Sequence, residues 1–185
     1  LPDLFGGVAD IFTEKKDELC EMDAQMGDGD LGLTMHKGYS ALPDLIRENA
    51  EPGDIGKTLM KSGMKMASVV PSTMGTLMSG KALKGKSEIG PAELSTYLTA
   101  FAAGIQKRGK CALGDRTILD AVDAGAKKAA AAVEAGAADL ETVINAAVEG
   151  AAEGVEATKE MTPKFGKAAV FAAKAIGTPD QGAVA

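Results

Sequence analysis

The chain has 185 residues, enough for one domain (residues 1–185) with a buried core, and a formal charge of −6 from 26 acidic and 20 basic residues. With no basic run, that balance argues against nucleic-acid or anionic-membrane partners. A single histidine excludes an imidazole-rich metal site, and Cys20 and Cys111, with no CxxC, read as reduced packing residues of a cytoplasmic protein.

Alanine, leucine, methionine, lysine and glutamate dominate, while aromatic residues make up 4%. That composition favours helix throughout. Apolar residues recur at helical spacing over Phe5–Met22, Gly32–Asn49, Ile55–Val70, Pro91–Lys107, Thr117–Glu134, Leu140–Thr158 and Phe165–Ile176. Pro91 suits a first helical position, Asp139 an N-cap and Gly136 a helix stop, and Thr162-Pro163 is expected to open the last helix. Short connections predict antiparallel neighbours in an all-α bundle. The first residues, LPDLFGGVAD, already read as helix and lack the regions of a signal peptide. No apolar run approaches the roughly 20 residues that span a bilayer. The methionines concentrated at Met60, Met64, Met66, Met74 and Met78 read as core filling, with an adaptable docking face as the minority reading.

Between the first two predicted helices lies Asp23-Ala-Gln-Met-Gly-Asp28-Gly-Asp30-Leu-Gly-Leu-Thr34. A solvated acidic loop has no need of glycine at 27, 29 and 32, whereas a loop folded back so that its carboxylates converge does. Converging carboxylates repel, so a cation is expected among Asp23, Asp28 and Asp30. Hard oxygen donors suit Mg²⁺ or Ca²⁺, and Mg²⁺ keeps positions open for water and phosphate oxygens. The plain alternative is that Asp30 merely caps the next helix.

Two other motif matches fail on context. Gly80-Lys-Ala-Leu-Lys-Gly85-Lys86-Ser87 fits the P-loop spacing, but no β-branched strand precedes it and Gly90-Pro91 interrupts any helix after it. It reads as a lysine-bearing surface loop. Gly27-Asp-Gly29-Asp-Leu-Gly32 fits a dinucleotide loop, yet it follows a helix and its aspartates would repel a pyrophosphate.

Four blocks, in order, resemble the L subunit of dihydroxyacetone kinase. They are Asp23…Gly27-Asp28-Gly29-Asp30-x-Gly32 with Thr34-Met35, then Ser72-Thr73-Met74-Gly75-Thr76-Leu77, Gly114-Asp115-Arg116-Thr117-Ile118-Leu119-Asp120-Ala121, and Lys164-Phe165-Gly166-Lys167…Thr178-Pro179-Asp180-Gln181-Gly182-Ala183. The resemblance implies an antiparallel eight-helix barrel with the nucleotide at one end. It implies two Mg²⁺ ions on Asp23, Asp28 and Asp30, holding the phosphates of ADP or ATP. It implies nucleotide contacts from Leu31, Gly32, Thr34, Ser72, Thr73, Gly114, Arg116, Lys167, Asp180 and Gly182. Leu31 stands where the family often has histidine, Lys167 where it usually has arginine, and the second block departs from the family's wording. For Asp115 a capping role is expected, ahead of metal binding. His36 reads as an ordinary half-buried residue.

No catalytic residue is assigned, because the resemblance places the base and the substrate on a separate K subunit that binds dihydroxyacetone. The expected function is thus the Mg-nucleotide subunit of a short-chain ketose kinase. Either ATP exchanges freely, or bound ADP is recharged by a phosphotransferase-system donor protein. A non-catalytic helical nucleotide- or metal-binding regulatory module is the competing class. The related fatty-acid kinase domain fits less well, since its loop usually reads D-G-D-T-G-T-N-M.

Overall fold

The computed structural model describes residues 1–70 and 80–185, and the side chains of Lys167 and Phe171 lie outside the description. Every regular element of the described residues is helical. The α-helices are α1 (Pro2–Ala24), α2 (Leu31–Glu48), α3 (Ile55–Val69), α4 (Pro91–Gly109), α5 (Ile118–Glu134), α6 (Leu140–Ala157), α7 (Ala172–Ala175) and α8 (Gln181–Val184). The first six agree with the expected periodic segments to within three residues at either end.

Contacts divide the chain into two units, Leu1–Glu88 and Ile89–Ala185. In the first unit, α1 and α2 run antiparallel. Residue 32 of α2 meets residues 16 and 20 of α1, and Tyr39 stacks on Phe12 at 4.7 Å. A Cβ on Gly32 would lie 1.8 Å from the Lys16 carbonyl oxygen, so the backbones cross where only hydrogen fits. α3 returns along α2, with Gly38 against Met66 and Val70, and Ser62 Oγ donating to the Leu45 carbonyl at 3.2 Å. Phe12, Leu19, Met35, Leu42, Ile46, Leu59 and Met66 form the core. Core filling therefore holds for Met66, while Met60 and Met64 are exposed; Met74 and Met78 lie outside the described residues.

The segment matching the P-loop spacing exposes Lys81, Lys84 and Lys86, as expected of a lysine-bearing surface loop, and is anchored by a buried residue. Gly80–Leu83 forms a 3-10 turn whose Leu83 is 1% exposed, and no strand occurs among the described residues. The turn packs on the start of α3, where a Cβ on Gly56 would meet the Gly80 carbonyl at 2.4 Å.

In the second unit, α5 and α6 are antiparallel partners packed through glycine. Gly125 faces Ala147 and Ala151, Gly150 faces Ala124, and Gly154 faces Asp120 and Ala121. Lys128 bridges outside this seam to Glu149 and Glu153. Three expected terminators hold: Pro91 opens α4, where Gly90 N donates to Glu93 Oε2 at 3.2 Å, Asp139 accepts from Thr142 N at 2.8 Å, and Gly136 takes φ +94° after α5. The last expected helix does not form as one piece. Thr162-Pro163 opens no helix; a 3-10 turn starts at Lys167 after Gly166 (φ +65°), and α7 and α8 are single turns separated by Gly177 (φ +88°). The left-handed Gly166 interrupts the expected Phe165–Ile176 span near its start, and Gly177 follows just past its end.

Glycine-to-alanine substitution has opposite expected effects at two sites. Gly154→Ala places a Cβ 2.5 Å from the Asp120 carbonyl oxygen and should destabilise by about 1–3 kcal/mol in urea unfolding. Gly7→Ala meets nothing within 4 Å in mid-helix and should stabilise by about 0.5–1 kcal/mol. Equal effects would contradict the packing described.

Candidate functional site

α1 ends at Ala24, and its last turn carries Asp23, a residue 7% exposed. The chain then reverses so that Gly29 N and Asp30 N donate to Asp23 Oδ2 at 2.9 and 3.2 Å. The three glycines of this loop serve different ends. Gly29 adopts φ +79°; Gly27 is small because a Cβ would lie 2.0 Å from Asp23 Oδ1; Gly32 serves the α1–α2 crossing. Asp23, Asp28 and Asp30 each present an oxygen within 4.8 Å of the others.

Asp30 occupies the N-cap of α2, yet its side chain makes no capping hydrogen bond. Capping alone thus fails to account for it. At that spacing each pair of carboxylates repels by about 1 kcal/mol if fully solvated and about 3 kcal/mol in a surface of intermediate polarity. Three oxygen donors converging at this spacing fit a hard divalent ion such as Mg²⁺. Leu31 and Gly32 open α2, whose first-turn N–H groups point at the same end. Thr34 N is already used, donating to the Asp30 carbonyl at 2.9 Å. Ser72 and Thr73 lie outside the described residues.

The second unit gathers Gly114, Arg116, Asp180 and Gly182. Gly114 takes φ +85°, open space faces its missing Cβ, and its N–H donates to Asp120 Oδ1 at 2.6 Å. Asp120 also accepts from Thr117 N at 2.8 Å, closing a capping box with Thr117 at the start of α5. Thr117-x-x-Asp120 was the available signal for this buried support, which the sequence reading left unassigned.

Asp115 departs from the capping expected of it. Its Oδ2 accepts from Ala112 N at 2.6 Å, and its Oδ1 pairs with Lys164 Nζ at 2.6 Å. Lys164, followed by the Ala112 amide, holds the Asp115 carboxyl below the usual carboxylate value. Arg116, expected at a phosphate, is 2% exposed, and Nη2 donates to the carbonyls of Ala175, Thr178 and Pro179. The guanidinium is engaged by the C-terminal segment.

Asp180 accepts from Ala183 N at 2.9 Å, and its own N–H donates to Thr158 Oγ1 at 2.9 Å. Burial pushes its carboxyl above the ordinary range, against the pull of the Ala183 amide and Arg116. For Lys167 the structure gives a backbone position at the start of the 3-10 turn. A cleft of about 310 Å³ lies between α4 and α5, lined by Thr99, Ala102, Leu113, Leu119 and Ala126.

Residues 25–185 match the sequence model described as the DAK2 domain. The chain belongs to the DAK2 domain family. Within this DAK2 domain the match takes in Asp28 and Asp30 and begins two residues after Asp23. The DAK2 chain is 31% identical over 180 residues to the Listeria innocua protein named PEP-dependent dihydroxyacetone kinase 2, ADP-binding subunit DhaL, covering 93% of this chain and 82% of that one. It is 32% identical over 176 residues to human triokinase/FMN cyclase, covering 92% of this chain and 30% of the human protein. The chain thus spans about a third of the length of the triokinase relatives it matches. The dihydroxyacetone kinase of C. freundii, solved with AMP-PNP and Mg²⁺, superposes with a TM-score of 0.72 at 22% identity, over all of this chain and 31% of that one. The all-helical fold is shared. No helix among the described residues is long and apolar enough to cross a membrane.

Because the folded-state value of Asp115 lies below its usual 3.8, its contribution to stability is fully present above that value and lost as pH falls through the lower one. Asp115→Asn should flatten the acid limb of a thermal-stability profile below about pH 4. An unchanged acid limb would contradict the Lys164 pairing.

Proposed function

We propose that this DAK2 domain is the Mg-nucleotide component of a ketose kinase acting on dihydroxyacetone or a close relative. The reading rests on one observation above the others: Asp23, Asp28 and Asp30 converge to within 4.8 Å with Asp23 fixed by two loop amides. Relatives named as ADP-binding subunits and as kinases support it. Asp23, Asp28 and Asp30 would hold Mg²⁺, two ions in this proposal, which neutralise charge on the phosphates of ADP or ATP. Phosphoryl transfer asks chiefly for such positioning and neutralisation, with little covalent work from the protein.

The chain's own contributions follow. Asp23, locked by Gly29 N and Asp30 N, orients the cluster before any ion arrives. The first turn of α2, at Leu31 and Gly32, offers N–H groups and the positive end of a helix dipole to an anion. The Thr34 hydroxyl, Ser72 and Thr73 are carried as phosphate contacts from the resemblance. Gly114, bare of side chain beside Leu113 of the apolar cleft, admits the base or ribose. Lys167, Asp180 and Gly182 complete the nucleotide contacts of the proposal. The DAK2 match running across 25–185 supports reading the chain as one domain in sequence.

No group in the described site is suited to hold a ketose, so the substrate and the base belong to a K-type partner, as a separate subunit or as another part of a longer chain. Phosphate arrives through ATP exchange or through recharging of retained ADP by a phosphotransferase-system donor.

Asp28→Asn with Asp30→Asn should abolish transfer to dihydroxyacetone in the presence of a K-type partner, and remove the Mg²⁺ dependence of ADP binding in calorimetry, with the fold retained by circular dichroism. Transfer that survives the double substitution would refute the assignment.

A further inference from the structure

We propose that Arg116 is a positioning residue: its buried guanidinium fastens the C-terminal segment 175–185 to the entrance of α5, and nucleotide affinity depends on that tie. The proposal rests on the nucleotide-binding reading above and gives Arg116 a task other than touching phosphate.

The segment has little to hold itself in place. α7 and α8 are four residues each, far below the length at which a helix stands alone, and Gly177 breaks the path between them. Ties from outside hold it among the described residues. Gly177 N donates to the Lys159 carbonyl at 2.8 Å, and Asp180 N donates to Thr158 Oγ1 at 2.9 Å. Arg116 adds a charged tie. Nη2 lies 3.0 Å from the Thr178 carbonyl, 3.3 Å from that of Pro179, 3.4 Å from that of Ala175 and 3.4 Å from Thr178 Oγ1. Nη1 stands 3.7 Å from Asp180 Oδ1, an ion-pair separation. The same carboxylate caps α8 through Ala183 N.

The backbone at Arg116 takes φ +60°, a conformation that L residues with long side chains seldom adopt. Such strain persists where the surroundings over-determine it. Here it turns the side chain inward two residues after Gly114. The residue before it reaches the other half of the tail, with Asp115 Oδ1 on Lys164 Nζ and Lys164 N donating to the Asp115 carbonyl at 3.3 Å. One loop therefore carries the glycine proposed to face the nucleotide and the ties to both tail segments, those bearing Lys167 and Asp180–Gly182. A loosened tie displaces contacts that are not Arg116's own.

All four hydrogen-bond acceptors gather on one nitrogen, Nη2, while Nε and Nη1 have no hydrogen-bond partner among the described residues. A single-headed cation can serve the same carbonyls. That separates a tie from a bidentate phosphate fork.

The test uses the full chain with Mg-ADP calorimetry, amide hydrogen exchange and Mn²⁺ titration. Arg116→Met should weaken Mg-ADP about tenfold or more, the scale of one lost charge-assisted hydrogen bond. It should raise exchange at the amides of Gly177, Asp180 and Ala183 and leave Mn²⁺ affinity unchanged. Arg116→Lys should stay within about threefold of wild type in ADP affinity, since one ammonium replaces Nη2. If Arg116→Met does not fold, Arg116→Gln, which keeps a donor without charge, is read the same way. Wild-type affinity in the Met variant, or unchanged tail exchange, overturns the proposal. So does a Lys variant as weak as Met, which would show the guanidinium itself on the nucleotide. Failure of the wild-type chain to bind Mg-ADP would instead strike the functional reading beneath.

Discussion

Two hydrogen bonds from Gly29 N and Asp30 N to the buried Asp23 carboxylate hold the acidic loop in its folded-back form. Bonds to a charged acceptor contribute about 1.5–3 kcal/mol each, comparable to the repulsion created when Asp28 and Asp30 are brought near. The amides can therefore anchor the loop while the other two carboxylates stand at close range. In the proposed metal site the loop is built in advance, and an arriving divalent cation would meet oxygens already gathered. Preorganisation of this kind spares binding the ordering of a flexible loop.

The same economy of space recurs where helices cross. Gly32 lets α2 approach Lys16 and Cys20 of α1, which puts the start of α2 directly against the end of the acidic loop. In the second unit Gly125, Gly150 and Gly154 bring α5 and α6 into backbone contact, and the start of α5 is where Gly114, Asp115 and Arg116 lie. Close packing thus fixes the helix ends, and the ends carry the chemistry. Polar groups there are tied to backbone: Asp120 to Gly114 N and Thr117 N, Asp180 to Ala183 N.

Six long helices were legible because apolar spacing and terminators agreed at Pro91, Gly136 and Asp139. The carboxylate cluster was legible because glycines beside aspartates have few other uses, although the individual reasons for Gly27 and Gly32 are steric and visible only in three dimensions. The expected helix Phe165–Ile176 is instead a 3-10 turn running into α7, since periodicity does not register the left-handed turn at Gly166. The burial of Arg116 was not legible for a related reason. An arginine after Gly-Asp near a helix start reads as an exposed cation, and nothing local reveals that carbonyls some sixty residues onward converge on it. Asp115 likewise found its partner at Lys164, beyond the reach of a local capping rule.

The central claim is that the carboxylates of Asp23, Asp28 and Asp30 are a divalent-cation site. Anomalous diffraction from crystals grown with Mn²⁺ and ADP tests it most directly. The account predicts anomalous peaks coordinated by oxygens of all three aspartates and by nucleotide phosphate. Peaks elsewhere, with these side chains turned out to solvent while ADP is bound, would contradict it.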